Sequence, residues 1–361
     1  MDYKKNKKII MFLLMLLNLI LISGCRISQD KEINYNKEDA TERKIKIGFS
    51  MGTLKEERWQ RDRDIFVAKA KELGAEVIVQ NANNDSNEQM SQVKYLLEQG
   101  IDILVIVPHD ADKAASIVQM AKKEGIKVIS YDRLVRNANV DMYISFDNVK
   151  VGELMAEHLV KSVPAGNYVI INGAKNDYNT HMFNEGYKNV LKPYIDMGNI
   201  DIIEEIWAED WKREDAFKCV ERTLQNGYKI DGIIAANDSL AEAVIEALAE
   251  RRLAGRIPVV GHDADLAGCQ RVAEGTQLMT IYKPINRIAQ ISAETAIKMA
   301  KGEEIKANSS INDGKYSVPY YKIQSVPVIR ENLINTVIYD GFHRLDDVFR
   351  NVPKSQWPVI K

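Results

Sequence analysis

From residue 45 onward the chain alternates between two hydrophobic rhythms. Runs rich in β-branched residues at 45–50, 76–81, 103–108 and 127–132 predict strands. The stretches between them, 57–73, 87–99 and 112–124, carry apolar residues at helical spacing. The run Ile103-Leu104-Val105-Ile106-Val107 is apolar on both faces, as suits a strand buried under helices on both sides of a parallel sheet. Such alternation is the signature of βαβ units. It restarts after Asn148, with strands predicted at 168–172, 202–206, 232–236 and 258–261. Two series in tandem predict an α/β protein of two doubly wound parallel-sheet domains. The roughly 300 residues involved also exceed what one compact core usually holds.

The ends of these strands carry the chemistry. In open parallel sheets, ligands bind beyond the carboxyl ends of strands. In order, those ends supply Asp132 and Arg133, Asp177 with Asn179, Trp207 followed by Trp211, Asn237 with Asp238, and Asp263. Arg58 and Trp59 open the helix after the first strand. No glycine-rich phosphate loop is present, because Gly48-Phe49-Ser50-Met51-Gly52 lacks the dinucleotide spacing. Carboxylates, carboxamides and guanidinium groups suit a neutral polyol, whose hydroxyls both donate and accept. An indole completes such a set by packing on the C–H face of a sugar ring. The alternatives are structural. Arg58 and Arg133 could be surface ion-pair partners, and Trp59 could pack the first helix. Asp132, Asn237 and Asp263 could cap the helices that follow them, and for Asp238 capping is the reading adopted. Trp211 lies in a polar loop, 209–213, where a core role is awkward and stacking on a ligand fits better.

Composition narrows the function further. The formal charge is −2 with Lys and Arg scattered among Asp and Glu, so no nucleic-acid face is expected. His109, His158, His181, His262 and His343 show no metal-ligand spacing and flank no nucleophile, so they read as surface or supporting residues, with no metal and no cofactor. Asp132 and Asp263 could face each other as in a hydrolase, but no second catalytic signature accompanies them, and the chain is read as a non-enzyme. Cys219 and Cys269 lie in helix-like stretches and read as buried free thiols, a single bridge being the alternative.

The amino terminus has a different pattern. Lys4, Lys5, Lys7 and Lys8 precede an apolar run, 9–22, of about 14 residues, short of the roughly 20 that a membrane-spanning helix needs. This predicts an export signal. Leu21-Ile22-Ser23-Gly24-Cys25 resembles the lipobox of bacterial lipoproteins. The resemblance implies removal of 1–24 and a lipid on Cys25, with an uncleaved anchor as the alternative. Residues 25–43, polar and nearly free of apolar side chains, then form a flexible tether. The globular part is expected at the extracytoplasmic face of the membrane.

Longer motifs carry a second resemblance. ERWQRDRDIFV (57–67), YDR (131–133), YISFDN (143–148) followed by VGEL, GHDADLAG (261–268), AEGTQLMTIYKPI (273–285) and VIYDGFH (337–343) resemble bacterial D-xylose-binding proteins of the ribose/galactose periplasmic-binding class. The resemblance covers almost everything from Lys44 to His343. It implies the type I periplasmic-binding-protein fold, two domains joined by a three-crossover hinge and closing on a pentose. Carried over by position, the sugar ligands would be Arg58, Trp59, Asp132, Arg133, Asp177, Asn179, Trp211, Asn237, Asp263 and Lys283. Tyr178 stands where a small amide is expected.

Crossovers are expected near 147–151, 282–285 and 312–318. These give an amino-terminal domain of 44–149 plus 284–312, a second domain of 150–283 plus 313–344, and a tail, 345–361, beyond the usual end. The function implied is a lipid-anchored receptor that delivers D-xylose or a related monosaccharide to an ABC permease. The alternative reader is the extracellular domain of a membrane histidine kinase that controls xylose-uptake genes. A sugar-responsive repressor would need a DNA-binding domain where this chain has a signal and tether.

Overall fold

The β-branched runs become strands because both of their faces are buried by helices. The structure, a computed structural model, describes residues 43–358; residues 1–42, with Cys25 and the expected signal and tether, lie outside the described residues. From Ile45 the chain forms one compact unit built on two parallel sheets. In the first, β1 (Lys46–Met51), β2 (Glu76–Asn81), β3 (Ile103–Val107), β4 (Lys127–Tyr131) and β5 (Met142–Phe146) stand side by side in the order β2-β1-β3-β4-β5. Helices α1 (Glu57–Glu72), α2 (Ser86–Glu98) and α3 (Ala114–Lys123) connect its first strands. All five residues of β3 are buried, as its two-sided apolar pattern requires.

The second sheet has the order β7-β6-β8-β9, formed by β6 (Gly166–Asn172), β7 (Ile200–Trp207), β8 (Gly232–Ala235) and β9 (Val259–Val260). Around it lie α4 (Asn148–Ser162), α5 (Tyr178–Asp196), α6 (Arg213–Gln225), α7 (Asp238–Glu250) and α8 (Leu266–Glu274). The chain then runs through β10 (Thr280–Tyr282) into α9 (Ile285–Ala300), which packs on α1 and behind β3, β4 and β5 of the first sheet.

The return path differs from the sequence reading. Residues 313–323 were expected in the second domain, yet β11 (Ser309–Asn312) and β12 (Ser317–Ile323) both extend the first sheet, β12 in parallel beside β5. Val318 and Tyr320 are buried against Tyr143 and the helices of that sheet, which holds the strand there. The chain leaves the first sheet only after Ile323, and β13 (Val326–Val328) pairs antiparallel with β10.

The tail, left without a role by the sequence, is part of the core. Val348, Phe349 and Val352, in and after α10 (Leu345–Val348), are buried in the same apolar cluster as Phe66 of α1 and Val272 of α8. Gln270 Nε2 donates to the Asp347 carbonyl at 2.8 Å, and Asn351 Nδ2 donates to Glu274 at 2.7 Å. Trp357 packs on Phe349, their ring centroids 5.8 Å apart. Truncating a buried phenylalanine loses its transfer energy and leaves a cavity, so Phe349→Ala should lower unfolding free energy by about 3 kcal/mol or more. Urea denaturation measures this, and a loss below about 1 kcal/mol would show the tail to be peripheral.

Candidate functional site

All ten residues predicted for the site line one cavity, together with Glu56, Phe183 and His262. The cavity is built from loops beyond the carboxyl ends of β1, β4, β6, β7, β8, β9 and β10, so both sheets aim their strand ends at it. Its wall carries three cations, Arg58, Arg133 and Lys283, and four carboxylates, Glu56, Asp132, Asp177 and Asp263. A wall so nearly balanced favours a neutral polar ligand over an anion.

Arg58 ties the two sides together. From the start of α1 its Nη2 donates to Asp132 at 2.7 Å and its Nη1 to Asp263 Oδ1 at 3.4 Å, while Nε donates to Asp62 behind it at 3.3 Å. The guanidinium also lies 4.3 Å from the Trp59 ring centre, and that of Arg133 lies 5.2 Å from the same ring. Trp59 is thus a platform beneath two cations. Asp132 follows β4 with φ +60° and Asp263 follows β9 with φ +95°, conformations that residues with a Cβ rarely adopt. Such strain is held by the surrounding bonds and is characteristic of working sites.

The second sheet supplies the opposite wall. Asp177 caps α5, accepting from the Asn179 amide at 3.0 Å, and Asn179 Nδ2 donates to Asp132 Oδ1 at 3.1 Å. Asn237 caps α7 through Oδ1, which accepts from Leu240 N at 2.9 Å and leaves the carboxamide nitrogen for a ligand. Capping and lining the cavity are therefore compatible in one residue. Asp238, read from sequence as the cap, does something else. It is buried and accepts from Gln277 at 2.7 Å and Thr280 at 2.8 Å, fastening α7 to the start of β10 and the loop before it. Trp211 stands in a tight turn with φ +59°, and its ring lies against Gly173, where a Cβ would come within 2.3 Å of it. Only glycine there lets the indole lie flat beside the end of β6.

Burial and charge set the ionisation of these groups. Burial opposes the charge on Asp263, but His262, Lys283 and Arg58 outweigh it and hold the carboxyl below its usual range. Lys283, 3.3 Å from Asp263 Oδ1, is lowered by burial, which Asp263 only partly offsets. Burial also raises Asp177 despite Arg133. His262 is pushed down to about 3, first by burial, so the ring is neutral.

Four buried polar atoms in this wall have no hydrogen-bond partner: Glu56 Oε2, Arg133 Nε, Trp211 Nε1 and His262 Nδ1. Arg133 Nε lies 2.8 Å from Asp177 Oδ2 as an ion pair, but off the hydrogen-bonding angle. Sequence reasoning missed Glu56, Phe183 and His262. Phe183 and Glu56 lie one turn into α5 and just ahead of α1, and nothing in their spacing marks them. His262 was read as a supporting residue, although its place beside Asp263 at a strand end was a usable signal.

Tyr178, which stands where a small amide was expected, lies outside the cavity lining. Arg136, from the first sheet's side, sits 4.7 Å from its ring, which stacks on His181 at 5.6 Å, and His181 in turn meets Trp207 at 4.8 Å. Cys219 and Cys269 are buried and free. No metal-binding group occurs among the described residues.

The pH response of the fold follows from His262. The unfolded imidazole takes a proton near 6.5, whereas the folded one refuses it until about 3. Stability is therefore full above 6.5 and is lost as pH falls through this window. Asp62 and Asp238, each raised by burial to about 6, act with the opposite sign between about 4 and 6. Because they do so in parent and variant alike, His262→Gln should show a shallower loss of Tm between pH 6.5 and 4, and equal slopes would contradict this assignment.

Comparison with known proteins places this geometry. Residues 47–304 match the family described as periplasmic binding protein domain. The chain is 46% identical over 303 residues to the D-xylose-binding periplasmic protein of Escherichia coli, covering 84% of this chain and 92% of that protein. It is 43% identical over 306 residues to the protein of the same name in Haemophilus influenzae, with 84% and 92% covered. Among solved structures, a carbohydrate transporter solute binding protein from Chloroflexus aurantiacus, in complex with D-glucose, superposes with a TM-score of 0.78 at 28% identity, covering 84% of this chain and 98% of that one. With a matched region that covers β1 to β5 of the first sheet, the whole second sheet and the helix that returns to the first, this chain belongs to the periplasmic binding protein family, in its ribose/galactose-type branch.

Proposed function

We propose that this chain is an extracytoplasmic, lipid-anchored receptor that closes on D-xylose and presents it to an ABC importer. The observation that carries the reading is the set of unpartnered polar atoms around a charge-balanced cavity. Buried groups without partners are destabilising, and a small polyol would satisfy Trp211 Nε1 as an acceptor and Glu56 Oε2 as a donor. The pentose is chosen because the relatives with the highest identities given above bind D-xylose by name. No chemical step is involved. A ligand bonded to both walls at once favours the closed arrangement over the open one, and the closed surface is what a membrane partner reads. Membrane attachment is assigned to Cys25 because Leu21-Ile22-Ser23-Gly24-Cys25 resembles a lipobox.

Calorimetric titration of the purified protein with pentoses and hexoses tests the ligand, and tighter binding of another sugar than of D-xylose would reassign it. Asp263→Asn keeps the shape but removes the charge, and should weaken the sugar about 10- to 100-fold. Trp211→Ala should also weaken it, whereas Lys122→Ala, on a distant surface, should not. Tyr178→Ala removes the contact with Arg136 across the cleft while leaving the cavity wall intact. It should reduce affinity only a few-fold, chiefly through faster release seen by stopped flow, and an unchanged release rate would deny the contact a part in closure. Cys25→Ser should free the protein from membranes with sugar binding unaltered. Copurification of the sugar-bound form with a histidine kinase in place of a permease would move the same closed state to a sensing role.

A further inference from the structure

His262 is the one cavity residue whose chemistry the ten predicted ligands do not duplicate. It stands one residue beyond Gly261 at the end of β9, is 2% exposed, and its ring is held against Phe183 at a centroid distance of 4.6 Å. Its Nε2 faces Asp263 Oδ1 at 3.4 Å, and its Nδ1 is buried in the wall with no partner. A neutral imidazole has one N–H and one lone pair. The proton belongs on the nitrogen that faces the carboxylate, so Nδ1 is left as a bare acceptor. Asp263 Oδ1 also meets Arg58 at 3.4 Å and Lys283 at 3.3 Å, which fixes the carboxylate and, through it, the ring.

The other acceptors of the wall are carboxylates, flanked by cations that can also serve an oxygen lacking a proton. Nδ1, without a proton, has nothing to donate and can only receive. Resting on the sugar-binding reading above, we propose that His262 is a specificity-determining residue, whose Nδ1 accepts from one sugar hydroxyl and thereby requires a donor at that ring position. A deoxy sugar would leave Nδ1 dry, and a fluoro sugar would set two acceptors against each other. Both lose the bond, while the charged part of the wall, which holds the remaining hydroxyls, is undisturbed.

The test is calorimetry at pH 7 of the parent, His262→Phe and His262→Gln with D-xylose and its singly deoxygenated and singly deoxyfluorinated analogues. In the parent, one ring position should show a penalty of about 10- to 100-fold for both substitutions. In His262→Phe that penalty should shrink to a few-fold while those at other positions persist, and His262→Gln, which regains a neutral acceptor, should restore it. Ratios between analogues measured on one variant cancel any general loss of affinity through altered folding. A parent and a His262→Phe variant with the same pattern of penalties would overturn the assignment. A parent that binds none of these sugars would instead remove the sugar reading itself, and the two failures are distinguishable.

Discussion

The arrangement turns on one carboxylate oxygen. Asp263 Oδ1 is approached by Arg58 from the first helix, Lys283 from the end of β10 and the neighbouring His262, all within 3.4 Å. Taking such charges out of water is expensive, and attraction offsets the expense only where geometry is good and every group is partnered. Arg58 meets that condition by reaching Asp62 and Asp132 as well as Asp263. The cost of burying the guanidinium is therefore spread over carboxylates from both sides of the cleft. In the proposed open arrangement Arg58 would part from Asp263 while keeping Asp62 and Asp132 on its own side, so the two arrangements can lie close in free energy. A ligand needs only a modest difference in affinity to choose between them.

The same network explains why the backbone is strained where it is. Asp132 and Asp263 reach the cavity only because φ is positive at both. Asp132 is held by Tyr143 Oη and Ser145 Oγ, which donate to its carbonyl at 2.9 and 2.6 Å, and Asp263 by its own amide bond to Ile281 at 2.9 Å. Tyr143 and Ser145 belong to β5, so a strand that never touches the cavity sets the aim of a residue that does.

Much of this was legible in the sequence, for an identifiable reason. Strands such as Ile103–Val107 declare themselves by continuous β-branched character, and residues at strand ends are constrained by the topology that follows. Hence Arg58, Asp132, Arg133 and Asp263 could be placed together from opposite parts of the chain. What did not show was of two kinds. The strands β5 and β12 mix aromatic, polar and apolar residues, as MYISF and SVPYYKI, and match neither rhythm well. Pairing between them comes from tertiary context, which periodicity does not encode. Residues such as Phe183, Tyr178 and Asp238 occupy helix starts, where sequence sets a position within a turn or two. Which way a side chain then points depends on what packs across the gap.

The late return of the chain to the first sheet bears on how the protein is made. Strand β1 begins at Lys46, but its sheet lacks β11 and β12 until Ile323 has been synthesised, and β10 waits for Val328 to pair. Until Ile323 has been made the nascent chain therefore carries an unfinished sheet, with the flank of β5 bare. Contacts of such long sequence separation form slowly, and an open strand edge is a template for association with other chains. The fold delays completion of its first sheet until β12 has been made, and leaves the growing polypeptide dependent on protection throughout that interval.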